Sequence, residues 1–352
     1  MKKFIKQEKL VILITGLLIG IFGVFLFVWG NPPHTGICVS CFLENVSGAL
    51  GLHNNSRMQF LRPEIMGLVF GSFITALINK EFRSTAGNTP LISFLLGMLM
   101  IIGSSVFIGC PIKLMTRIGG GELTALIGLI GLIIGIWIGI QFIRDGFTLG
   151  EKNNVSKLNG FIIPFLILIF TIFLFIKPFF IYFSKTGPGS LHAPILISLV
   201  VSLFIGGLAQ RSRFCVTGSI RNFLLAGDTL LLQGLFMLLL GAIIISILTN
   251  NFEIILYRTE FQNEYLWGFL GMLLVGWASV YAGGCPFRQL ILAGEGDTDA
   301  GICILGMLFG GAIVQNFFIK TTSSGITVSG QISVLSGFIF LIITGLLLRE
   351  KT

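Results

Sequence analysis

The sequence predicts an all-α integral membrane protein: about ten transmembrane helices in two inverted five-helix repeats, with four re-entrant half-helices. Three observations carry that expectation: a composition too apolar for a water-soluble fold, ten long apolar runs, and a pair of motifs that recurs in the second half of the chain. Of 352 residues, 54% are hydrophobic and 11% are charged, against about 25% charged in a soluble domain. A bilayer crossing needs roughly 20 predominantly apolar residues. Runs of that kind lie near 10–30, 63–80, 91–109, 123–143, 161–183, 192–210, 229–249, 265–284, 299–319 and 329–348.

The first run follows Lys2, Lys3, Lys6 and Lys9. It is long and lacks a small-residue cleavage site, so it reads as a retained helix and not a signal peptide. The net charge of +8 comes from basic residues scattered through short loops, which argues against a nucleic-acid partner and reports orientation instead. With the N-terminus in the cytoplasm, ten spans place fifteen of the 23 Lys and Arg residues inside. These are the four at the start with Lys80, Arg83, Arg144, Lys152, Lys157, Arg211, Arg213, Arg221, Arg288, Arg349 and Lys351. Positive loops favour the cytoplasmic side, so both termini are expected there.

The repeat rests on two motifs. Cys38-Val39-Ser40-Cys41 with Glu44-Asn45 matches Cys215-Val216-Thr217-Gly218 with Arg221-Asn222 at an offset of 177 (215 less 38). Gly109-Cys110-Pro111 with Glu122 matches Gly284-Cys285-Pro286 with Asp297 at an offset of 175 (285 less 110), and Ser104 echoes Ser279. Five spans precede the midpoint and five follow, so the second copy must lie upside down in the membrane. The division expected is 1–160 for the first repeat without its fifth span and 161–352 for that span and the second repeat, in one membrane domain. Segments after Cys38 and Cys110 then enter from outside, and those after Cys215 and Cys285 from inside. Each is too short to cross, so each reads as a half-helix. Irregular backbone at membrane depth is tolerated only where protein buries it or a cavity wets it, so four such pieces imply a central path of transporter or channel type.

The cysteines at these breaks are the candidate path residues: Cys110, Cys215 and Cys285, with Cys38 added by repeat symmetry. Pro111 and Pro286 suit first helical positions, which makes Cys110 and Cys285 helix N-caps. A helix N-terminus presents free N–H groups and a positive dipole end to an anion. The usual fate of a buried free cysteine is apolar packing; recurrence at equivalent breaks argues for function here. Cys303, inside the ninth span, reads as packing. Arg288, Lys113 and Arg221 lie close to the break cysteines in sequence and are candidate anion-binding groups, whereas Arg211 and Arg213 read as interfacial anchors. Glu122, Asp297 and Glu64 sit near helix starts, where a carboxylate caps free N–H groups; proton coupling is the alternative for Glu122 and Asp297.

Other chemistry finds little support. No G-x-x-x-x-G-K-[ST] loop is present, so no ATP-driven pumping and no cofactor is expected of this chain. His34, His53 and His192 share no metal-ligand spacing. Cys38 and Cys41 form a C-x-x-C that could support dithiol redox chemistry, and soft metals such as Cu(I) favour thiolates. Both remain rival readings, a membrane thiol or persulfide oxidoreductase and a soft-metal carrier. No enzyme activity is the first expectation.

Several motifs then carry a resemblance. They are Gly36-Ile37-Cys38, Gly48-Ala49-Leu50-Gly51-Leu52-His53, Arg62-Pro63-Glu64-Ile65, Gly109-Cys110-Pro111, Gln210-Arg211-Ser212-Arg213-Phe214-Cys215, and the long Gly283-Gly284-Cys285-Pro286-Phe287-Arg288-Gln289-Leu290-Ile291-Leu292-Ala293-Gly294-Glu295-Gly296. With them the chain resembles the YeeE/YedE sulfur-transport family of bacterial inner-membrane proteins, and within it the YedE-type selenium transporters. The resemblance implies an inverted-repeat helical fold and uptake of a thiosulfate-like or related chalcogen compound. It assigns Cys110, Cys215 and Cys285 as substrate-contacting thiols. Expected partners are a small anionic sulfur or selenium solute, membrane lipid and a cytosolic sulfur- or selenium-carrier protein.

Overall fold

A computed structural model describes residues 2–255, 265–319, 321–322 and 325–349; Lys351 of the charge count lies outside them. The described residues form fourteen helices. The first half holds α1 (Lys2–Val28), α2 (Val39–Ala49), α3 (Pro63–Ile78), α4 (Pro90–Phe107), α5 (Pro111–Gly119), α6 (Ala125–Arg144) and α7 (Lys157–Ile176). The second holds α8 (Ile195–Ser212), α9 (Val216–Ala226), α10 (Leu230–Leu248), α11 (Tyr265–Tyr281), α12 (Pro286–Gly294), α13 (Thr298–Asn316) and α14 (Val328–Leu347). Nine helical stretches are long and apolar enough to cross a membrane, and α3, at 16 residues, is a shorter tenth. Each of the ten apolar runs has its helix. The short α2, α5, α9 and α12, of 9 to 11 residues, are the four half-helices. The fifth span begins at Lys157, so the division at 160/161 runs through α7.

Local chemistry explains where the long helices break. After α4, Ile108 takes a left-handed conformation (φ 64°), Cys110 is extended, and Pro111 opens α5. At the equivalent place Gly283 is left-handed (φ 79°), Cys285 is extended and Pro286 opens α12. Proline forces the preceding residue out of the helical region and fits the first helical position, where its missing N–H would have no partner. Nothing lies within 4 Å of a Cβ added at Gly283. The cost of Gly283→Ala is therefore that of the left-handed backbone alone, about 1–2 kcal/mol, to be seen as a lower melting temperature in detergent.

The packing obeys a two-fold exchange of the halves. α1 packs on α10 and α8 on α3; α6 packs on α11 and α13 on α4; α5 meets α10 and α12 meets α3; α4 and α11 cross each other. In lipid, helices gain little from hydrophobic burial against one another, so close approach through small residues drives association. A Cβ at Gly20 of α1 would lie 2.1 Å from the carbonyl oxygen of Leu238 on α10, and one at Gly71 of α3 would lie 1.9 Å from that of Leu203 on α8. These seams admit only glycine.

Loop contacts show that the copies are inverted. On the face where α2 and α5 insert, here the first face, Tyr182 bonds to Ala49, Glu253 to Gly120, and Asn316 to Leu52. On the second face, where α9 and α12 insert, Arg83 bonds to Glu295, Arg349 pairs with Asp145, and strand β1 (Thr85–Ala86) pairs with β2 (Asn153–Asn154). The chain therefore changes face with each of the ten long helices, as an odd-numbered inverted repeat requires.

Candidate functional site

Each half-helix begins at a cysteine. Cys38, Cys110, Cys215 and Cys285 are the N-caps of α2, α5, α9 and α12, and all four are buried. They form two pairs. On the first face the Cys110 amide N lies 3.5 Å from Cys38 Sγ. On the second the Cys285 amide N lies 3.4 Å from Cys215 Sγ, and the two sulfurs are 3.5 Å apart. Cys215 Sγ also accepts a bond from the Gly218 N–H, at 3.2 Å. The half-helices that bear the two pairs also touch, α2 with α12 and α5 with α9, and each of the four thiols lies at the positive end of a helix.

The cationic candidates divide. Lys113 and Arg288 occupy equivalent places one turn into α5 and α12, both largely buried. Lys113 Nζ lies 4.0 Å from Cys41 Sγ. Arg288 is held by Glu295, with Nη2 3.3 Å from Oε2 and Nη1 3.0 Å from Oε1, the latter without hydrogen-bond alignment. Arg221 contacts Asn222 on its own helix, at 3.4 Å. A cavity of about 220 Å³ opens on the first face and reaches Lys113, lined also by His34, Phe107, Ile108 and Arg117.

The carboxylates also divide. Asp297 is the N-cap of α13 and accepts from the Ala300 N–H at 3.1 Å, while Lys152 pairs with it. Glu122 is buried and grips the Arg117 guanidinium through both oxygens, at 2.6 and 2.9 Å. Glu64 accepts from Asn31 Nδ2 at 2.8 Å and makes no side-chain cap. Cys303 is buried within α13, where Gly97 of α4 packs against its carbonyl. Among the described residues no three His, Cys, Asp or Glu side chains converge as a metal-ligand set.

Three features go beyond what the sequence showed. Cys41, whose repeat partner is Gly218, lies 2.9 Å from Cys38 Sγ to Sγ and so joins the first pair. Ser40 and Thr217, in the first turns of α2 and α9, and Ser104 and Ser279, near the ends of α4 and α11, are buried hydroxyls with no hydrogen-bond partner. They fall at equivalent repeat positions, and a buried unpaired hydroxyl costs about 1–3 kcal/mol, so an anion that accepted from them would recover that cost. The repeat match of Ser104 with Ser279 was the available signal. Third, Arg62 is fully buried: its guanidinium bonds Asn45 Oδ1 (2.8 Å from Nε) and the carbonyls of Pro188 (2.8 Å) and Leu191 (3.0 Å), between the rings of Phe42 and Phe60. It fixes α2 to the 177–194 segment.

A family model described as "Sulphur transport" matches residues 1–179 and 211–348. No curated protein matches the chain.

Proposed function

The chain belongs to the sulphur-transport family, and on that premise we propose that it carries a small sulfur- or selenium-containing anion, thiosulfate-like in character, across a bacterial inner membrane past its buried cysteines. The observation that carries this reading is the pairing of N-cap thiols on both faces, Cys38 with Cys110 and Cys215 with Cys285. The anion enters from the outer side through the cavity at Lys113, passes to the first pair, then to the second beside Arg288, and leaves inward to a cytosolic sulfur- or selenium-carrier protein. Both termini are cytoplasmic in this orientation.

The energetics suit passage. Bringing an ion out of water costs several kcal/mol, and each partly buried helix end returns up to about 2 kcal/mol. Four ends with the orphan hydroxyls of Ser40, Ser104, Thr217 and Ser279 are of the right order to offset that cost. A neutral thiol is a weak donor, and sites along a path must bind weakly enough to release. Glu122 and Asp297 keep structural roles here, as the partner of Arg117 and as a cap.

The test is uptake of thiosulfate, selenite and sulfite by cells lacking their own carriers. Uptake of one of them by the wild-type chain supports the reading. Absence of all three, with correct membrane insertion shown, moves the second reading forward. That reading, dithiol chemistry at Cys38 and Cys41, is favoured by their 2.9 Å approach and predicts that Cys41→Ala abolishes activity. Transport past the N-cap pairs predicts only a partial loss in Cys41→Ala, about tenfold or less, because Cys38 and Cys110 remain in place.

A further inference from the structure

Glu44 is a buried carboxylate that no step above uses. It lies in α2, one turn beyond Cys41 on the same helix face, and is 6% exposed. Its Oε1 accepts from Ser105 Oγ on α4, and its Oε2 from Gln315 Nε2 on α13, at 2.8 Å. Gly311 of α13 packs so closely that a Cβ there would sit 3.0 Å from Glu44 Cα. Gln315 in turn accepts from Asn55 Nδ2 at 2.8 Å. Asn55 and Gln315 both line a cavity of about 600 Å³ on the first face, with Asn54, Arg57 and Asn316. One amide side chain therefore separates Glu44 from first-face water.

Position and chemistry bear on its role. The repeat places Arg221, partly buried, where the first half has Glu44, so the acid belongs to the first-face pair alone. A fixed negative charge one turn from Cys41 repels an anion arriving at Cys38, Cys41 and Cys110. A proton on Glu44 removes that repulsion. Its partners tolerate either form, because a serine hydroxyl can donate to a carboxylate or accept from a carboxylic acid. Ionisable groups at membrane depth are costly and are commonly functional.

We propose that Glu44 is a proton-binding site linked to anion occupancy of the first-face thiol cluster, filled from water in the cavity lined by Asn55 and Gln315. The proposal rests on the transport reading. As the anion enters, a proton from that water bonds to a Glu44 oxygen and the acid donates to Ser105 Oγ. When the anion moves on, the proton returns to the same water, so no electron or other group is transferred. By linkage, anion binding and proton binding strengthen each other equally.

Other titratable or charged groups on the elements around Glu44 are Cys38 and Cys41 on its own helix, Cys110 and Lys113 at α5, and His53 and Arg62 in the segment after α2. Thiols, lysine and arginine ordinarily titrate above neutrality. His53 Nε2 lies 3.0 Å from the Glu44 carbonyl, and burial lowers its proton affinity below the ordinary histidine range. A His53→Gln control removes its contribution.

The experiment is calorimetric binding of thiosulfate, whose charge is constant over the range, to purified protein between pH 5.5 and 7.5 in buffers of different ionisation heat. The wild type and the His53→Gln control should take up about one proton per anion where Glu44 is ionised in the free protein, with affinity rising up to tenfold per unit fall in pH. Glu44→Gln keeps the bonds to Gln315 and Ser105, so it should take up none and bind equally at all pH values. Equal proton uptake by Glu44→Gln and wild type, or none by either, overturns the proposal. If the wild type binds no thiosulfate at any pH, the transport reading loses its ground, and infrared titration of the ligand-free protein decides the proton site. A carboxylic-acid band that grows as pH falls and is missing in Glu44→Gln retains it; identical spectra overturn it.

Discussion

Cys215→Ser is expected to lower uptake at least tenfold, a loss of about 1.4 kcal/mol or more of transition-state stabilisation, while leaving the melting temperature unchanged or slightly raised. Capping keeps the fold intact in this variant. Cys215 is the N-cap of α9 and accepts the Gly218 N–H, a place where serine is among the preferred residues. A serine oxygen is smaller and harder than sulfur and stands closer to Cβ, so it recedes from Cys285, whose Sγ now lies 3.5 Å away. The polarisable donor pair is lost and the helix stays. Cys110→Ser and Cys285→Ser should behave alike, since both are N-caps followed by proline. Cys303→Ala, within α13 and away from the caps, should leave uptake within about twofold, an effect of about 0.4 kcal/mol. Loss of uptake in Cys303→Ala equal to that in Cys215→Ser would remove the special standing of the break cysteines.

The spans and breaks were legible because lipid leaves the chain few choices. An apolar run of 20 residues must be helical, and Gly-Cys-Pro after such a run must interrupt it. That logic located α5 and α12 from sequence, and the repeat extended it to α2 and α9. The contacts inside the site were much less legible. Glu44 and Gln315 are 271 positions apart, and Arg62 reaches carbonyls 126 and 129 positions away; no local pattern announces such pairs. Repeat symmetry also has limits. Gly218 stands where the first half has Cys41, so the repeat gives no signal for a thiol that contacts both Cys38 and Lys113. Arg221, a candidate for its closeness to Cys215 in sequence, contacts Asn222 of its own helix at 3.4 Å. Glu122 and Asp297, equivalent in sequence, differ in use because an arginine stands five residues before Glu122 and leucine at the matching place before Asp297.

Arg62→Leu should destabilise the protein by about 2–3 kcal/mol and loosen the first-face cysteines before the rest of the fold. Removing the guanidinium strands the buried Asn45 Oδ1, at a cost of about 1–3 kcal/mol, and frees the Pro188 and Leu191 carbonyls, which sit on exposed residues where water can replace the lost bonds. Leucine would fill part of the space between Phe42 and Phe60, recovering some apolar contact while losing the stacking of the cation on their rings. Arg62→Lys should fall between, because a single ammonium cannot reproduce the fork that spans three acceptors. The damage is local first: Asn45 and Phe42 belong to α2, so its release frees Cys38 and Cys41 before the glycine seams of α1 with α10 and α3 with α8 part. Thermal melting in detergent measures the total, and the rate of Cys41 modification by a maleimide at temperatures below melting measures the local part. Faster modification in Arg62→Leu at a temperature where the helices are intact supports the clamp. A variant within about 1 kcal/mol of the wild type, with Cys41 equally protected, would show that the loop 188–191 and α2 hold together without it.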